Sequence, residues 1–315
     1  MARVLVTGGA GFIGSHLIER LLSDGHEVIA LDNLDPYYDP TLKKRNIALF
    51  QDNPNFEFVH GSITDRALVD RILSTGVEYI YHEAAQAGVR ASVENPFKPH
   101  EVNGTGILQL LESAVRHDVK KFINASSSSV YGTVVYLPFD EKHPTLPVSP
   151  YGATKVLAEH YCRIYQEIHG MDTISLRYFT VFGPRMRPDL AINIFTHRAL
   201  KNEPIEIFGD GRKTRDFTYI SNIVEANLTV MNKGTGVYNI GSGERVSIKE
   251  LAEKIIRLTD SHSEIKHSES VKGDAVHTWA DISRAEEVLD YRVKVPLDEG
   301  LKHYIEWVKK NDFQD

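Results

Sequence analysis

Tyr151 and Lys155 stand four residues apart in the run YGATK, at the start of a stretch with helical spacing, so their side chains share one helix face. An ammonium beside a phenol favours the phenolate, which makes Tyr151 a base for a hydroxyl proton near neutral pH. Lys155 is also placed to hold a ribose. Upstream, Ser126, Ser127, Ser128 and Ser129 end an apolar run and set hydroxyls where parallel sheets put their ligands. A Tyr-x-x-x-Lys pair by itself recurs by chance in many helices. Its weight comes from the serine cluster and from a second constellation near the amino terminus.

That constellation is the run TGGAGFIG at residues 7–14. Gly8, Gly11 and Gly14 fall at intervals of three, directly after an apolar run of strand length and at the head of a helical pattern that takes in Phe12 and Ile13. Missing side chains allow a tight turn and close approach of a pyrophosphate, and the helix N-terminus turns its N–H groups to the phosphates. Asp32 ends the second apolar run, 18 residues after Gly14. A carboxylate there accepts hydrogen bonds from the adenosine ribose and repels a 2′-phosphate, which favours NAD over NADP. The expected cofactor set continues through Asn33, Ser62 and Ile63. It takes in Ala84, Ala85 and Gln86, where the run HEAA closes a strand with small residues. Asn103 is expected under the nicotinamide half, and Tyr178 at the end of the sixth strand.

These residues need a frame. Strands are expected at 3–7, 27–31, 56–59, 79–81, 121–124 and 173–178, with helices at 12–22, 65–75, 98–117 and 151–169. Apolar strands separated by helices mean parallel βαβ units in a sheet covered on both faces, an α/β doubly wound fold. After residue 180 the alternation breaks and proline and glycine cluster. The expected division is a cofactor domain over 1–180 and a smaller, interwoven α/β cap over 181–315, with part of 215–245 returning to the sheet. A chain of 315 residues is long enough for such a pair, at roughly 150 residues per domain.

Composition sets the outer limits. Apolar residues at 42% and charged residues at 25% exclude a disordered or fibrous chain. Lys plus Arg number 36 against 43 Asp plus Glu, a net charge of −7, so nucleic acid and anionic lipid are not expected partners. One cysteine, Cys162, rules out an internal disulfide and points to a reducing compartment. No apolar run reaches membrane-spanning length and no signal sequence opens the chain, so a soluble cytoplasmic protein is expected. The 14 histidines show no metal-ligand spacing, and no metal is expected.

Along nearly its whole length the chain resembles the extended short-chain dehydrogenase/reductases of the nucleotide-sugar epimerase and dehydratase group. The resemblance rests on TGxxGxxG at 7–14, on the serine cluster followed by Val130, Tyr131 and Gly132, and on YxxxK at 151–155. It implies a Rossmann-type sheet, tightly held NAD, and Ser127, Tyr151 and Lys155 as the catalytic groups. It also implies a homodimer through the helices near 98–117 and 151–169. Dehydratases and decarboxylases of this group carry carboxylates right after the active hydroxyl; here those positions are Ser128 and Ser129. The resemblance therefore narrows to oxidation and re-reduction at one carbon, the reaction of a UDP-sugar 4-epimerase. A non-catalytic NAD-binding sensor on the same fold would be marked by loss of the Tyr or the Lys, and both are present.

The same resemblance assigns the nucleotide end. Arg215, in RDFTY, is expected on the diphosphate with Phe217 beside it, Phe208 under uracil and Asp274 on the uridine ribose. Val271 stands where several relatives have a diphosphate-binding arginine, with Lys272 next to it to substitute. Ser62 stands where many have an adenine-binding aspartate. Thr278 occupies a position that a bulky tyrosine fills in some relatives. A threonine leaves room for a 2-acetamido group, so UDP-N-acetylglucosamine and UDP-N-acetylgalactosamine are the expected substrates, with UDP-glucose and UDP-galactose accepted. The alternative is UDP-glucuronate. The runs DPYYD at 35–39, QAGVR at 86–90 and YFTVFGPRMR at 178–187 resemble UDP-glucuronate 4-epimerases, and Thr180 and Arg187 would then hold the C6 carboxylate. Val89, Arg90, Ser127, Ser128, Ala191 and Ile192 complete the expected substrate contacts.

Overall fold

The computed structural model describes residues 1–269 and 276–312. In β1 (Arg3–Thr7) the alternation of side chains serves two apolar layers at once: Val4 and Val6 enter one cluster and Leu5 the other. A strand buried on both faces has no polar side, and so its sequence is a continuous apolar run. The strands β2 (Glu27–Asp32), β3 (Phe56–His60), β4 (Tyr79–His82), β5 (Lys121–Ser127) and β6 (Asp172–Tyr178) join it, with Gly236–Ile240 as the outermost strand beyond β6. The seven strands run in the order Gly236–Ile240, β6, β5, β4, β1, β2, β3, and every pairing is parallel. The order reverses at β1, between β4 and β2. In such sheets the crevice outside the carboxyl ends of the strands at the reversal is where ligands bind.

Helix α1 (Phe12–Ser23) lays Leu17, Ile18 and Leu21 on the Val4 and Val6 face. Helices Arg66–Leu73 and Gly106–Arg116 cover the Leu5 face with Val69, Ile72, Ile107 and Leu110. Each such side chain contributes roughly 1.5–3 kcal/mol on burial. The long helix Pro150–His169 is fixed at both ends by its own sequence. The Ser149 hydroxyl accepts from Gly152 N–H at 3.1 Å, Pro150 opens the first turn, and Gly170 closes it at φ +67°. Tyr151 and Lys155 are thereby held in its first two turns, beside the ends of β5 and β6.

The expected continuous helix over 98–117 is divided. A wide π turn at His100–Thr105 precedes the α-helix Gly106–Arg116. The glycines account for the close packing: a Cβ on Gly106 would come 2.5 Å from the Ile63 side chain. Beyond β6 the helix Ile220–Val230 packs on α1 and leads into Gly236–Ile240, which re-enters the sheet. The parallel pair Ile205–Phe208 and Ile265–Ser268 lies with helices Ala191–Leu200 and Ile248–Thr259 over the carboxyl ends of the strands. A reciprocal capping box between Ser247 and Glu250 starts the last of these. Among the described residues no helix is long and apolar enough to cross a membrane.

Candidate active site

At the switch point the backbone itself forms the wall. Gly8 has φ +68°, and a Cβ there would lie 2.7 Å from Ala84 N; a Cβ on Gly14 would lie 2.4 Å from Gly8 O. Helix α1 starts at Gly11 without a capping side chain, so its first N–H groups and positive dipole end face the cleft. Asp32 is buried at the end of β2. Its carboxylate accepts from Leu34 N–H at 2.8 Å and Ala10 N–H at 3.1 Å, with the Lys43 ammonium 4.0 Å away. Burial pushes its carboxyl above the usual range, and Lys43 and the two N–H groups oppose that shift. This arrangement ties the acidic residue to the glycine turn, and it leaves carboxylate lone pairs for a ribose. A glycine cradle that no side chain could enter, beside a helix N-terminus and a carboxylate, fits an adenine dinucleotide.

Lys155 is buried under Tyr151. Its Nζ donates to the carbonyl of Ala125 at 2.6 Å and sits 5.8 Å from the Tyr151 ring centre. The Ser127 hydroxyl accepts from Ser129 N–H at 3.1 Å and donates to the Ser129 hydroxyl at the same distance, capping a short turn at the end of β5. Ser126 differs from its neighbours, because its hydroxyl donates to Glu159 at 2.5 Å and Glu159 in turn holds Arg177 with both oxygens. His82 is buried against the Thr7 hydroxyl at 2.8 Å, and burial drives its pKa down to about 3, so the ring is neutral.

The glycine turn, Asp32, Ser127, Tyr151 and Lys155 open onto one cleft of about 860 Å³. Phe12, Ile13, Asn33, Ser62, Ile63, Ala84, Ala85, Gln86, Ser126 and Tyr178 line it on the side of the sheet. Val89, Arg90, Ser128, Thr180, Arg187, Ala191, Phe208, Arg215, Phe217 and Thr278 line the rest of it. Phe208 is 44% exposed, with the Arg90 guanidinium 4.9 Å above its ring, and is therefore a surface of the cleft rather than core. Thr278 is buried and its hydroxyl accepts from Asp216 N–H at 3.3 Å. Asp216, between Arg215 and Phe217, receives N–H groups from Ser242, Gly243 and Ala280, and burial raises its pKa to about 6. The two arginines near the cap separate. Arg187 turns to the cleft, its Nε 3.1 Å from Asp189. Arg185 turns away to Glu19 and His16 on α1.

Two expected site residues do not line the cleft. Asn103 is buried behind the wall. Its side-chain oxygen accepts from Gln86 N–H at 2.8 Å and its amide donates to the Thr154 hydroxyl at 3.0 Å, so it sets the loop that the cleft sees. Ile192 points into the hydrophobic core at 2% exposure, because on its helix the neighbouring Ala191 faces the cleft. Asp274, with Val271 and Lys272, lies outside the described residues. Conversely, Glu83, Tyr37 and Asp189 line the cleft and were not among the expected residues. For Tyr37 the run DPYYD was a signal. For Glu83, within HEAA, local spacing carries no separate signal. Among the described residues no group of His, Cys, Asp and Glu is placed to hold a metal ion.

A doubly wound sheet whose switch point carries a phosphate-binding turn, with a Tyr/Lys pair over the same cleft, defines a nucleotide-dependent enzyme of the extended short-chain dehydrogenase/reductase class. Within it, the chain belongs to the GDP-mannose 4,6 dehydratase family, whose model matches residues 5–304. It is 39% identical over 313 residues to a putative UDP-glucose 4-epimerase of Methanocaldococcus jannaschii, covering 98% of this chain and 99% of that one. It is 38% identical over 314 residues to a UDP-glucuronate 4-epimerase of Thermodesulfobacterium geofontis, covering 99% and 97%. Among solved structures it is similar to the UDP-glucuronic acid 4-epimerase of Bacillus cereus in complex with UDP-glucuronic acid and NAD. That likeness has a TM-score of 0.92 at 36% identity and covers 98% of this chain and 99% of that one.

Proposed function

We propose that the protein is an NAD-dependent UDP-sugar 4-epimerase whose preferred substrate is UDP-glucuronate. NAD held in the glycine cradle would supply a hydride acceptor for C4 and a donor for its return. The chain's own residues do the rest. Tyr151 takes the proton of the 4-hydroxyl, Lys155 orients the ribose, and the Ser127 hydroxyl steadies the developing carbonyl. Arg90, Phe208, Arg215 and Phe217 hold the nucleotide end. The 4-keto sugar turns over about its diphosphate linkage and takes the proton back from Tyr151. Ser128 and Ser129 bring no carboxylate beside Ser127, which favours epimerisation over the dehydration in the family's description.

One observation carries the choice of a uronate: Arg187 lines the same cleft as Tyr151 and Thr180. A guanidinium and a hydroxyl on that wall suit a C6 carboxylate. The acetamido sugars stay as a second reading, favoured by the small Thr278 on the wall. The test is to give the purified protein UDP-glucuronate, UDP-N-acetylglucosamine and UDP-glucose without added NAD and to identify products by NMR. UDP-galacturonate should form with the highest kcat/KM. Arg187→Ala should cost the uronate roughly 2–5 kcal/mol, the range for truncating one side of a buried charge pair, and spare the neutral sugars. Thr278→Tyr should leave the uronate unaffected. The reverse pattern, with acetamido sugars best and blocked by Thr278→Tyr, would move the assignment to them. Stoichiometric build-up of reduced cofactor or free 4-keto product would remove the epimerase reading itself.

The same reading carries a homodimer through helices Gly106–Arg116 and Pro150–His169 and their approaches. The strongly exposed Phe97 and Ile168, at 82% and 70%, lie on those segments. Light scattering of the purified protein tests it.

A further inference from the structure

β4 runs into a carboxyl that the proposed reaction does not use. Glu83 follows His82 at the carboxyl end of the strand, and the part of it that remains accessible forms cleft wall. Its Oε1 accepts from the Tyr178 hydroxyl at 2.9 Å, and that hydroxyl accepts in turn from the Asn227 amide at 2.7 Å. Asn227 is fixed on the other side, its amide donating to Ile223 O at 2.9 Å. With the Tyr178 hydrogen on Glu83 and not on Asn227 Oδ1, 3.0 Å away, the chain of donors runs towards Glu83, which suits an ionised acceptor. The charged or titratable groups facing it are Tyr81 on its own strand, Tyr178 on β6 and Lys155 on the Tyr151 helix. The two tyrosines hold their protons, so Lys155 is the one cation in this group.

Glu83 lies with Tyr178 and Lys155, at the end of the cleft where Tyr151 must meet the reacting carbon. Asp32 and Ser62 mark the opposite, adenine end. A hydride acceptor has to flank the same carbon as the base. The dinucleotide's nicotinamide end therefore belongs beside Glu83.

We propose that the Glu83 carboxylate is the counter-charge of the oxidised, cationic nicotinamide ring and so sets the redox poise of the bound cofactor. A negative charge in a cleft emptied of water stabilises the cationic ring over the neutral reduced one. It lowers the tendency of the cofactor to stay reduced, which guards against loss of a 4-keto sugar from an enzyme left with reduced cofactor. Burial pushes the Glu83 carboxyl up to about 7 even with Lys155 facing it, so its charge is easily lost until the cationic ring lies beside it. The inference rests on the reading of this cleft as an NAD site.

Cyanide tests it without any sugar. The anion adds to C4 of an oxidised nicotinamide and gives a neutral adduct with a near-ultraviolet band. Its association constant on the holoenzyme, expressed per cyanide ion, therefore measures how strongly the protein favours the cationic ring. Glu83→Gln should raise that constant about tenfold, the effect of removing one facing charge at short range. Tyr178→Phe, which keeps the charge and loses its donor, should raise it less. In the wild type the constant should climb as pH falls below about 7, where Glu83 gains its proton, and Glu83→Gln should abolish that climb. Should Glu83→Gln fold poorly, Glu83→Leu removes the charge in an apolar form, and the wild-type pH series stands alone. A wild-type constant in a variant that still carries NAD would overturn the proposal, as would a shift confined to the pH profile of turnover, which would make Glu83 a partner of Lys155 instead. Purified protein without NAD would remove the site reading and this inference together.

Discussion

The two walls of the cleft work by different means. The wall at the switch point is backbone: glycines in close approach, N–H groups at the head of α1, and one carboxylate held by main-chain donors. The facing wall is side chain: Arg90, Arg187, Phe208, Lys213, Arg215 and Thr278, drawn from four stretches of chain. A backbone wall allows no intermediate states, because a Cβ either fits or collides. A side-chain wall can be retuned one residue at a time. Such a division suits an enzyme that keeps one cofactor and adapts to many sugars.

The strongest perturbation is at the seam of the two walls. Tyr151→Phe should cut turnover by a factor of about 10² to 10⁴ and leave UDP-sugar affinity within a few-fold, since a lost general base removes transition-state and not uniform binding. Single-turnover kinetics beside equilibrium titration separates the two. Near-normal turnover would mean that the base lies elsewhere on the wall.

Gly14→Ala probes the backbone wall alone. Its Cβ would meet Gly8 O at 2.4 Å, so either α1 or the turn must shift. Overpacking of this kind costs about 1–3 kcal/mol. The loss should appear as about 10- to 100-fold weaker NAD retention, measured as cofactor remaining after gel filtration, with the purified fold intact by circular dichroism. A variant that keeps its cofactor would mean that this wall yields as readily as the other.

The contrast also explains what was legible in the sequence. Gly8, Gly11, Gly14 and Asp32 sit within two adjacent elements, so spacing alone carries their geometry. Tyr151 and Lys155 share a helix face, and the apolar runs of β1 and β2 declare a sheet buried on both sides. Arg187 is another matter. Its orientation depends on Asp189 two residues on and on Tyr37 from the other half, and nothing in local spacing separates it from Arg185, which turns to α1. Asn103 stands behind the wall for a related reason. A π turn in place of regular helix carries its amide to Gln86 and Thr154, behind the wall. Ile192 lies one position from the cleft-facing Ala191, on a helix whose phase only packing decides.

Tyr37 joins the walls, and its variant should have the smallest effect. It comes from the segment after β2, yet its hydroxyl donates to Asp189 at 3.1 Å and the Arg187 guanidinium lies 5.5 Å from its ring centre. Asp189 also holds Arg187, so one carboxylate fixes both the strap from the cofactor side and the cation of the sugar side. Tyr37→Phe removes a single hydrogen bond and keeps the ring. Asp189 retains Arg187 as a partner and is 40% exposed at its side chain, so water replaces the lost donor at little cost. A net change of about 0.5–1.5 kcal/mol follows, a two- to tenfold effect. If the contact couples the walls, the loss should appear twice: faster release of NAD from the resting enzyme, and a higher KM for the uronate. Turnover of UDP-glucose at saturation should stay unchanged. A rise in KM with no change in NAD release would confine Tyr37 to the side-chain wall, and the two walls would then act independently.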